Sequence, residues 1–167
     1  MTSPRVVAVV LNWCAEEDTA ACVRSLLAQE GVDVTPLIVD NGSPDGSGDR
    51  IARRFPGCAF LQTGRNLGYS GGNARGIGWA LERRAEYVFI INDDAEVAPG
   101  CVAALVAALD GRADTAAASP TIVHAEPGDV VWWAGGQFDR LRALAVHEGA
   151  GRRLGDLPAS ARAGAPP

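Results

Sequence analysis

Two adjacent carboxylates, Asp93 and Asp94, are the residues of this sequence that most directly suggest chemistry. They follow an apolar run at residues 87–91 that is typical of a buried β-strand. Two like charges at the end of a buried strand repel each other, and a divalent cation would relieve that repulsion. Carboxylate oxygens suit Mg²⁺ or Mn²⁺, with a diphosphate substrate supplying further oxygens. The alternative is that both aspartates are solvated loop residues that help to start the next helix.

Three further polar clusters also follow apolar runs. Ligands of open α/β sheets bind beyond the carboxyl ends of the strands. We therefore expect these clusters to converge with the two aspartates on one edge of a sheet. The clusters are Asn12-Trp13, Asp40-Asn41-Gly42-Ser43 and the segment from Thr63 to Gly68.

Several common phosphate and nucleotide sites do not fit this pattern. A dinucleotide site needs glycines and an open helix N-terminus after the first strand, whereas Glu16, Glu17 and Asp18 occupy that place and would repel a pyrophosphate. A Walker A phosphate loop needs a lysine, and the chain contains none. A phospho-receiver domain has the same alternation of strands and helices, but it needs a lysine after its last strand, and the chain contains none.

The elements that would position these residues alternate between short apolar strands and amphipathic helices. This alternation predicts a parallel sheet with right-handed crossovers and helices on its faces. After Pro120 the pattern changes to short β-like segments, so we predict an α/β fold with a mostly parallel, Rossmann-like sheet and a short β-rich C-terminal segment. Predicted strands cover residues 6–11, 36–40, 58–62 and 87–92, predicted helices cover 16–30, 48–54, 70–84 and a stretch from Pro99 to Gly111, and the β-like segments are 121–124, 130–134 and 144–147.

Composition limits the remaining function classes. The 167 residues suit about one domain, and the net charge of −5 with scattered arginines argues against a nucleic-acid partner. No apolar run approaches the roughly 20 residues of a membrane span. Residues 1–5 show no signal-peptide pattern, so we expect a cytoplasmic protein. The four cysteines lie in apolar patterns without Cys-x-x-Cys spacing and are predicted to be reduced core residues.

Taken in order, the polar clusters resemble those of the nucleotide-diphospho-sugar glycosyltransferases of family two, which have the GT-A fold. The resemblance covers about residues 5 to 153. The strand ending Asn12-Trp13 and the later segments that begin at Trp132 and at His147 are similar to the rhamnosyltransferase-type branch. The resemblance is carried by Asp40-Asn41-Gly42-Ser43-x-Asp45-Gly46, Asn66-x-Gly68-x-x-x-Gly72-Asn73-x-x-Gly76, Asn92-Asp93-Asp94, Asn12-Trp13, Trp132-x-x-Gly135-Gly136-x-Phe138-Asp139 and His147-x-Gly149.

The resemblance implies a binding site for the nucleotide part of a donor. Asp40 matches the aspartate that accepts a hydrogen bond from the base, although an Asx-turn aspartate is the alternative. Asn12 and Trp13 match base and ribose contacts. The second donor-binding segment is matched by Arg65, Asn66, Gly68, Gly72 and Asn73. The glycines of that segment either let the backbone approach the nucleotide or serve the packing of the third helix.

The resemblance also implies a metal site at the end of the fourth strand. Asn92 replaces the first acid of the family's Asp-x-Asp motif, as it does in the rhamnosyltransferase-type branch. Asp94 then matches the ligand of a Mg²⁺ or Mn²⁺ ion, and Asp93 is expected to contact the donor's ribose or a metal-bound water. Because Asn92 stands in place of an acid, the site has one negative charge fewer than the Asp-x-Asp motif.

The function implied is metal-dependent, inverting transfer of a sugar, with rhamnose one candidate, from a dTDP- or UDP-sugar to a saccharide, lipid-linked or small-molecule acceptor. The catalytic base is not identified, because Asp139 and Glu148 stand outside the context expected for it. The alternative is a nucleotide-sugar-binding module without turnover. A lipid-linked acceptor would bring the protein to the cytoplasmic face of a membrane, and a homo-oligomer through an exposed sheet edge is also considered.

The predicted layout is one glycosyltransferase domain over residues 1–156. Its donor-binding portion covers residues 5–119 and its β segment covers 120–156. Residues 157–167 contain little that could pack and are expected to form a disordered tail. We expect the acceptor side with its base to lie beyond the sequence in hand.

Overall fold

The computed structural model describes residues 5–139 and 141–158, in two compact units that divide the chain into residues 1–103 and 104–167. The first unit is built on one sheet of four parallel strands in the order β3-β2-β1-β4. The strands are β1 (Val6–Asn12), β2 (Val34–Asp40), β3 (Ala59–Gln62) and β4 (Tyr87–Asn92). The predicted α/β fold with a parallel sheet is confirmed.

Three helices cover the two faces of this sheet, namely α1 (Glu16–Leu27), α2 (Ser47–Arg54) and α3 (Gly68–Glu82). On one face, Leu26 of α1 and Ile51 of α2 belong to the same buried apolar cluster as Val10 of β1. On the other face, Ala80 of α3 belongs to a second cluster with Val9 of β1. Because β1 is covered on both faces and both edges, its sequence is almost wholly apolar.

Close packing of α3 on the sheet depends on two glycines. A Cβ atom at Gly72 would collide with the side chain of Leu11, and one at Gly76 would collide with Val9. This observation supports the packing role of these glycines, which was one of the two roles open from the sequence.

The fourth helix, α4 (Cys101–Leu109), begins two residues after Pro99, where the sequence placed its start. That prediction is wrong because Gly100 has a left-handed φ of +77° and ends the preceding turn. The helix runs across the boundary between the two units.

The second unit contains two small antiparallel pairs. Its strands are β5 (Ile122–Val123), which pairs with β6 (Val131–Trp133), and β7 (Gly136–Asp139), which pairs with β8 (Leu144–His147). The sequence predicted segments corresponding to β5, β6 and β8. It missed β7, because the run Gly-Gln-Phe-Asp has no β-branched residue and begins with a glycine.

Leu157, the first residue of the predicted tail, is packed. Its side chain is 5% exposed. A Cβ atom added to Gly149 would lie 3.1 Å from a methyl group of Leu157 and 3.5 Å from one of Val131. The packed chain therefore extends at least to Leu157, and residues 159–167 of the predicted tail lie outside the described residues.

Two expectations from composition can be compared with the structure. The prediction of four core cysteines is wrong for Cys14, which is exposed because it lies beyond the end of β1 with φ at +58°. Cys22 is buried, and Cys58 and Cys101 are half-buried. Among the residues that the structure describes, no helix has the length and apolar character needed to cross a bilayer.

Candidate functional site

Asn12, Asp40 and Gln62 form one row across three neighbouring strands at the carboxyl edge of the sheet. Asn12 pairs with Asp40 in the register of β1 and β2, and Asp40 pairs with Gln62 in the register of β2 and β3. The side chains meet, because Asn12 Nδ2 donates to Asp40 Oδ1 and Gln62 Nε2 donates to Asp40 Oδ2, both over 2.6 Å. Strand β4 ends at the same edge, with Asn92 paired to Leu11.

The carboxylate of Asp40 is 1% exposed, and the chain itself satisfies it. Besides Asn12 and Gln62, Ser43 donates twice, from Oγ to Oδ1 over 2.5 Å and from its backbone N–H to Oδ2 over 3.3 Å. A carboxylate offers about four acceptor positions, so all of them are used. A Cβ atom at Gly48 would overlap the carboxyl group. A nucleotide base could accordingly hydrogen-bond to Asp40 only if one of these donors moved away.

Asn12 is fully buried and joins the end of β1 to two helices. Its Oδ1 accepts a hydrogen bond from Thr19 Oγ1 of α1 over 3.0 Å. Its Nδ2 also lies 3.1 Å from Ser43 Oγ and 3.3 Å from Ser47 Oγ at the start of α2. Asn12 therefore lies beneath the edge of the sheet, whereas the next residue, Trp13, is 52% exposed.

Asn41 holds the loop of residues 63–68 beside β2. It is 2% exposed, and its Oδ1 accepts the backbone N–H of Leu67 over 3.0 Å. Its Nδ2 donates to Asn66 Oδ1 and to the carbonyl oxygen of Gly68, each over 3.2 Å. One buried carboxamide thus fixes the path of the loop that carries most of the predicted second donor-binding segment.

The predicted residues of that segment fall into two groups. Gly72 and Asn73 are buried on α3, and Asn73 Nδ2 donates to the carbonyl oxygen of Tyr69 over 3.0 Å. Asn73 Oδ1 is buried and has no hydrogen-bond partner among the described residues. The exposed members are Arg65, Asn66 and Gly68. Only this second group is exposed to a ligand.

Asp93 and Asp94 form an acidic pair at the end of β4. Asp94 is exposed and Asp93 is partly buried. Burial raises the pKa of the Asp93 carboxyl, and the charges of Asp94 and Asp18 raise it further. Burial also raises the pKa of the nearby Cys22 thiol to about 12, so this thiol stays protonated. The negative charge gathered here favours a bound cation.

The end of β4 fits a divalent cation that shares its ligands with a substrate. Within residues 5–139 and 141–158, no three His, Cys, Asp or Glu side chains lie close enough together to hold a metal ion alone. Asn92 Oδ1 accepts a hydrogen bond from the hydroxyl of Tyr69 over 2.9 Å. Asp93 and Asp94 are the two carboxylates that follow this strand, and Mg²⁺ is often held by one or two carboxylates together with substrate phosphates.

Sequence reasoning did not identify Gln62 and treated Asn41 and Ser43 only as parts of a motif. Gln62 could have been found, because it is a polar residue at the carboxyl end of a predicted strand. Asn41 and Ser43 also follow a predicted strand. Their hydrogen-bond partners include Leu67 after β3 and Asn12 at the end of β1, which are distant in sequence.

Asp139 and Glu148, the two acids considered for the catalytic base, lie in the second unit. Neither is identified as the base there. Glu148 is exposed and accepts a hydrogen bond from Gln137 over 2.8 Å. The side chain of Asp139 lies outside the described residues. The ring of His147 meets that of Trp133 edge-on, with 4.7 Å between the ring centroids.

The chain belongs to glycosyl transferase family 2, because the sequence model of that family matches residues 6–155. The suspected family is therefore confirmed.

Two relatives from Mycobacterium tuberculosis are 30% identical to the chain. One is an N-acetylglucosaminyl-diphospho-decaprenol L-rhamnosyltransferase, aligned over 125 residues that cover 70% of this chain and 40% of the relative. The other is the galactofuranosyltransferase GlfT1, aligned over 124 residues that cover 71% of this chain and 40% of the relative. The chain thus spans about 40% of the length of these curated relatives.

Solved structures of glycosyltransferases share the fold. The mannosyltransferase PcManGT from Pyrobaculum calidifontis, solved in complex with GDP-Man and Mn²⁺, aligns with a TM-score of 0.53 and 23% identity over 74% of this chain and 37% of that protein. Residues 1–349 of S. aureus TarS, solved in complex with UDP-GlcNAc, align with a TM-score of 0.50 and 18% identity over 67% of this chain and 37% of that one. These neighbours confirm the GT-A fold.

Proposed function

We propose that this chain binds a nucleoside-diphosphate sugar at the carboxyl edge of its sheet and serves metal-dependent, inverting transfer of the sugar to an acceptor. The observation that carries the proposal is the convergence on that edge of the Asp40 row, the loop of residues 63–68 and the acidic pair after β4. Each of these lies at the end of a parallel strand, which is where α/β sheets bind nucleotides.

The electrostatics of the edge support distinct roles for its two sides. Asp94 would be a ligand of a Mg²⁺ or Mn²⁺ ion beside the diphosphate, and Asp93 would contact the donor's ribose or a water bound to that ion. Such an ion would offset the charge that develops on the departing nucleoside diphosphate. Arg65 is exposed on the loop that Asn41 fixes and is the basic side chain offered to a base or phosphate. Trp13 offers an exposed aromatic surface to the nucleoside.

The sugar and the acceptor are proposed by analogy with the relatives. One relative is named a rhamnosyltransferase acting on a diphospho-decaprenol acceptor, and the other is named a galactofuranosyltransferase. A dTDP- or UDP-sugar donor and a lipid-linked or other sugar-bearing acceptor are therefore the first to test. A lipid-linked acceptor would place the reaction at the cytoplasmic face of a membrane.

A second candidate is donor binding without turnover by this chain alone. It is considered because no catalytic base was identified from the sequence and because the chain aligns with about 40% of the length of its curated relatives. Inverting transfer needs a group that takes the proton of the attacking hydroxyl. Donor hydrolysis and transfer assays on the chain separate the two candidates.

Isothermal titration calorimetry with UDP and dTDP, each with and without Mn²⁺, tests the proposed site. We expect Mn²⁺-dependent binding that Asp94→Ala weakens by at least about tenfold, because a metal ligand is lost. Asp33→Ala is the matched control, since Asp33 is an exposed acid just before β2, at the opposite edge of the sheet. Binding that needs no metal and is unchanged by Asp94→Ala would contradict the assignment.

A further inference from the structure

Gln62 is exposed and hydrogen-bonded to Asp40, and its carboxamide has a fixed orientation. Its Nε2 donates to Asp40 Oδ2 over 2.6 Å, and its Oε1 accepts the backbone N–H of Gly64 over 3.1 Å. Rotating the amide by 180° would place oxygen against carboxylate oxygen and N–H against N–H, so the two contacts exclude the flipped form.

The backbone after β3 is shaped to make the second contact. Gly64 has a left-handed φ of +76°, which glycine adopts without strain. Its backbone N–H donates to the side chain two residues earlier. Gln62 is therefore held from two sides although it is exposed.

Two hydrogen-bonding positions of Gln62 stay unused. A carboxamide has two N–H donors and two acceptor positions, and Asp40 and Gly64 take one of each. Among the described residues the carboxamide makes no further hydrogen bond. Gln62 thus presents one donor and one acceptor at the edge of the sheet, the combination that reads a nucleobase edge through paired hydrogen bonds.

Asp40 beneath it is 1% exposed, and its acceptor positions are taken by Asn12, Ser43 and Gln62. We propose that Gln62 is a specificity-determining residue that reads the donor's base with its free amide edge, while Asp40 positions it from below. This inference rests on the proposed function and adds a base contact at the exposed end of the row.

Base selectivity is the readout that distinguishes this role from a structural one. Calorimetry in the presence of Mn²⁺ gives the Kd of UDP, dTDP, GDP and ADP, and of inorganic pyrophosphate as a probe without a base. We expect Gln62→Ala to weaken the tightest nucleoside diphosphate about tenfold and to reduce the differences among the four bases. Its affinity for pyrophosphate should stay within about twofold of the wild type. Gln137→Ala, which removes an exposed carboxamide from the second unit, is the control.

A second variant keeps the test decisive if loss of the contact to Asp40 disturbs the fold. Gln62→Lys can still donate to Asp40 but carries no acceptor, so base selectivity should remain low even if overall affinity rises. Full selectivity in Gln62→Lys, or an equal loss for pyrophosphate and all four nucleotides in Gln62→Ala, would show that Gln62 only supports Asp40. Absence of any nucleotide binding by the wild type would instead overturn the proposed function itself.

Discussion

The two acidic positions at the carboxyl edge of the sheet differ in how their charge is compensated. Asp40, at the end of β2, is buried and accepts four hydrogen bonds from Asn12, Ser43 and Gln62. Asp93 and Asp94, after β4, repel each other, and burial raises the pKa of Asp93. The first position is saturated with hydrogen bonds from within the chain, whereas the second holds two like charges side by side.

This difference indicates a division of labour within one edge. A satisfied polar network in a low-dielectric interior rigidifies the strand ends that it joins. Repulsion between two neighbouring carboxylates lowers the free energy of unfolding. A cation that binds between them raises it again. We infer that the Asp40 side positions the site and that the Asp93–Asp94 side responds to ligand.

The largest effect that tests this contrast is expected for Asp40→Asn. The substitution places an NH₂ group against donors of the network and removes a charge that three side chains satisfy. We expect a loss of about 3 kcal/mol in the free energy of unfolding and a melting temperature lower by roughly 10 °C. Chemical denaturation measures it, with the exposed Asp33→Asn as the control. A loss equal to that of the control would mean that the network contributes nothing.

A smaller effect is expected when two buried asparagines with different numbers of partners are compared. Asn41 is 2% exposed and bonded at both ends, whereas Asn73 is 5% exposed with its Oδ1 unpaired. Asn41→Ala should cost about 2 kcal/mol and speed hydrogen exchange in residues 63–68, while Asn73→Ala should cost about 1 kcal/mol or less. Equal costs would argue against hydrogen bonding as the source of the difference.

The smallest effect, of opposite sign, is expected for Asp93→Asn. Because the pKa of Asp93 is higher in the folded than in the unfolded state, its contribution to stability falls as the pH rises through that interval. The variant should be more stable than the wild type at pH 7 by less than about 1 kcal/mol, since partial exposure screens the repulsion. Urea unfolding should show this gain shrinking as the pH is lowered towards about 4. A variant less stable than the wild type at pH 7 would contradict the repulsion.

Much of the fold could be predicted because each element has its own local pattern. The four strands of the sheet are short apolar runs, and their predicted and observed ranges differ by at most two residues at either end. Errors occurred where local signals were weak, as at β7, or where one backbone angle decided the boundary, as at Gly100. The burial of Leu157 was missed because its packing partners, including Val131, are distant in sequence.

The site could be predicted only in part. The rule that ligands bind at strand ends placed Asp40, Arg65 and Asp94 at one edge of the sheet. The rule could not tell that the Asp40 carboxylate is already satisfied, since its partners come from β1, β3 and the turn after β2.

The sequence by itself determined the alternation of strands and helices, the polar strand ends and the family of this protein. These depend on side-chain type and short-range spacing, which are written along the chain. Only the tertiary structure decided which polar side chains are buried and paired and which are left to a ligand. That outcome depends on strand register: the pairing of Asn12 with Asp40 and of Asp40 with Gln62 brings together side chains that are 28 and 22 residues apart.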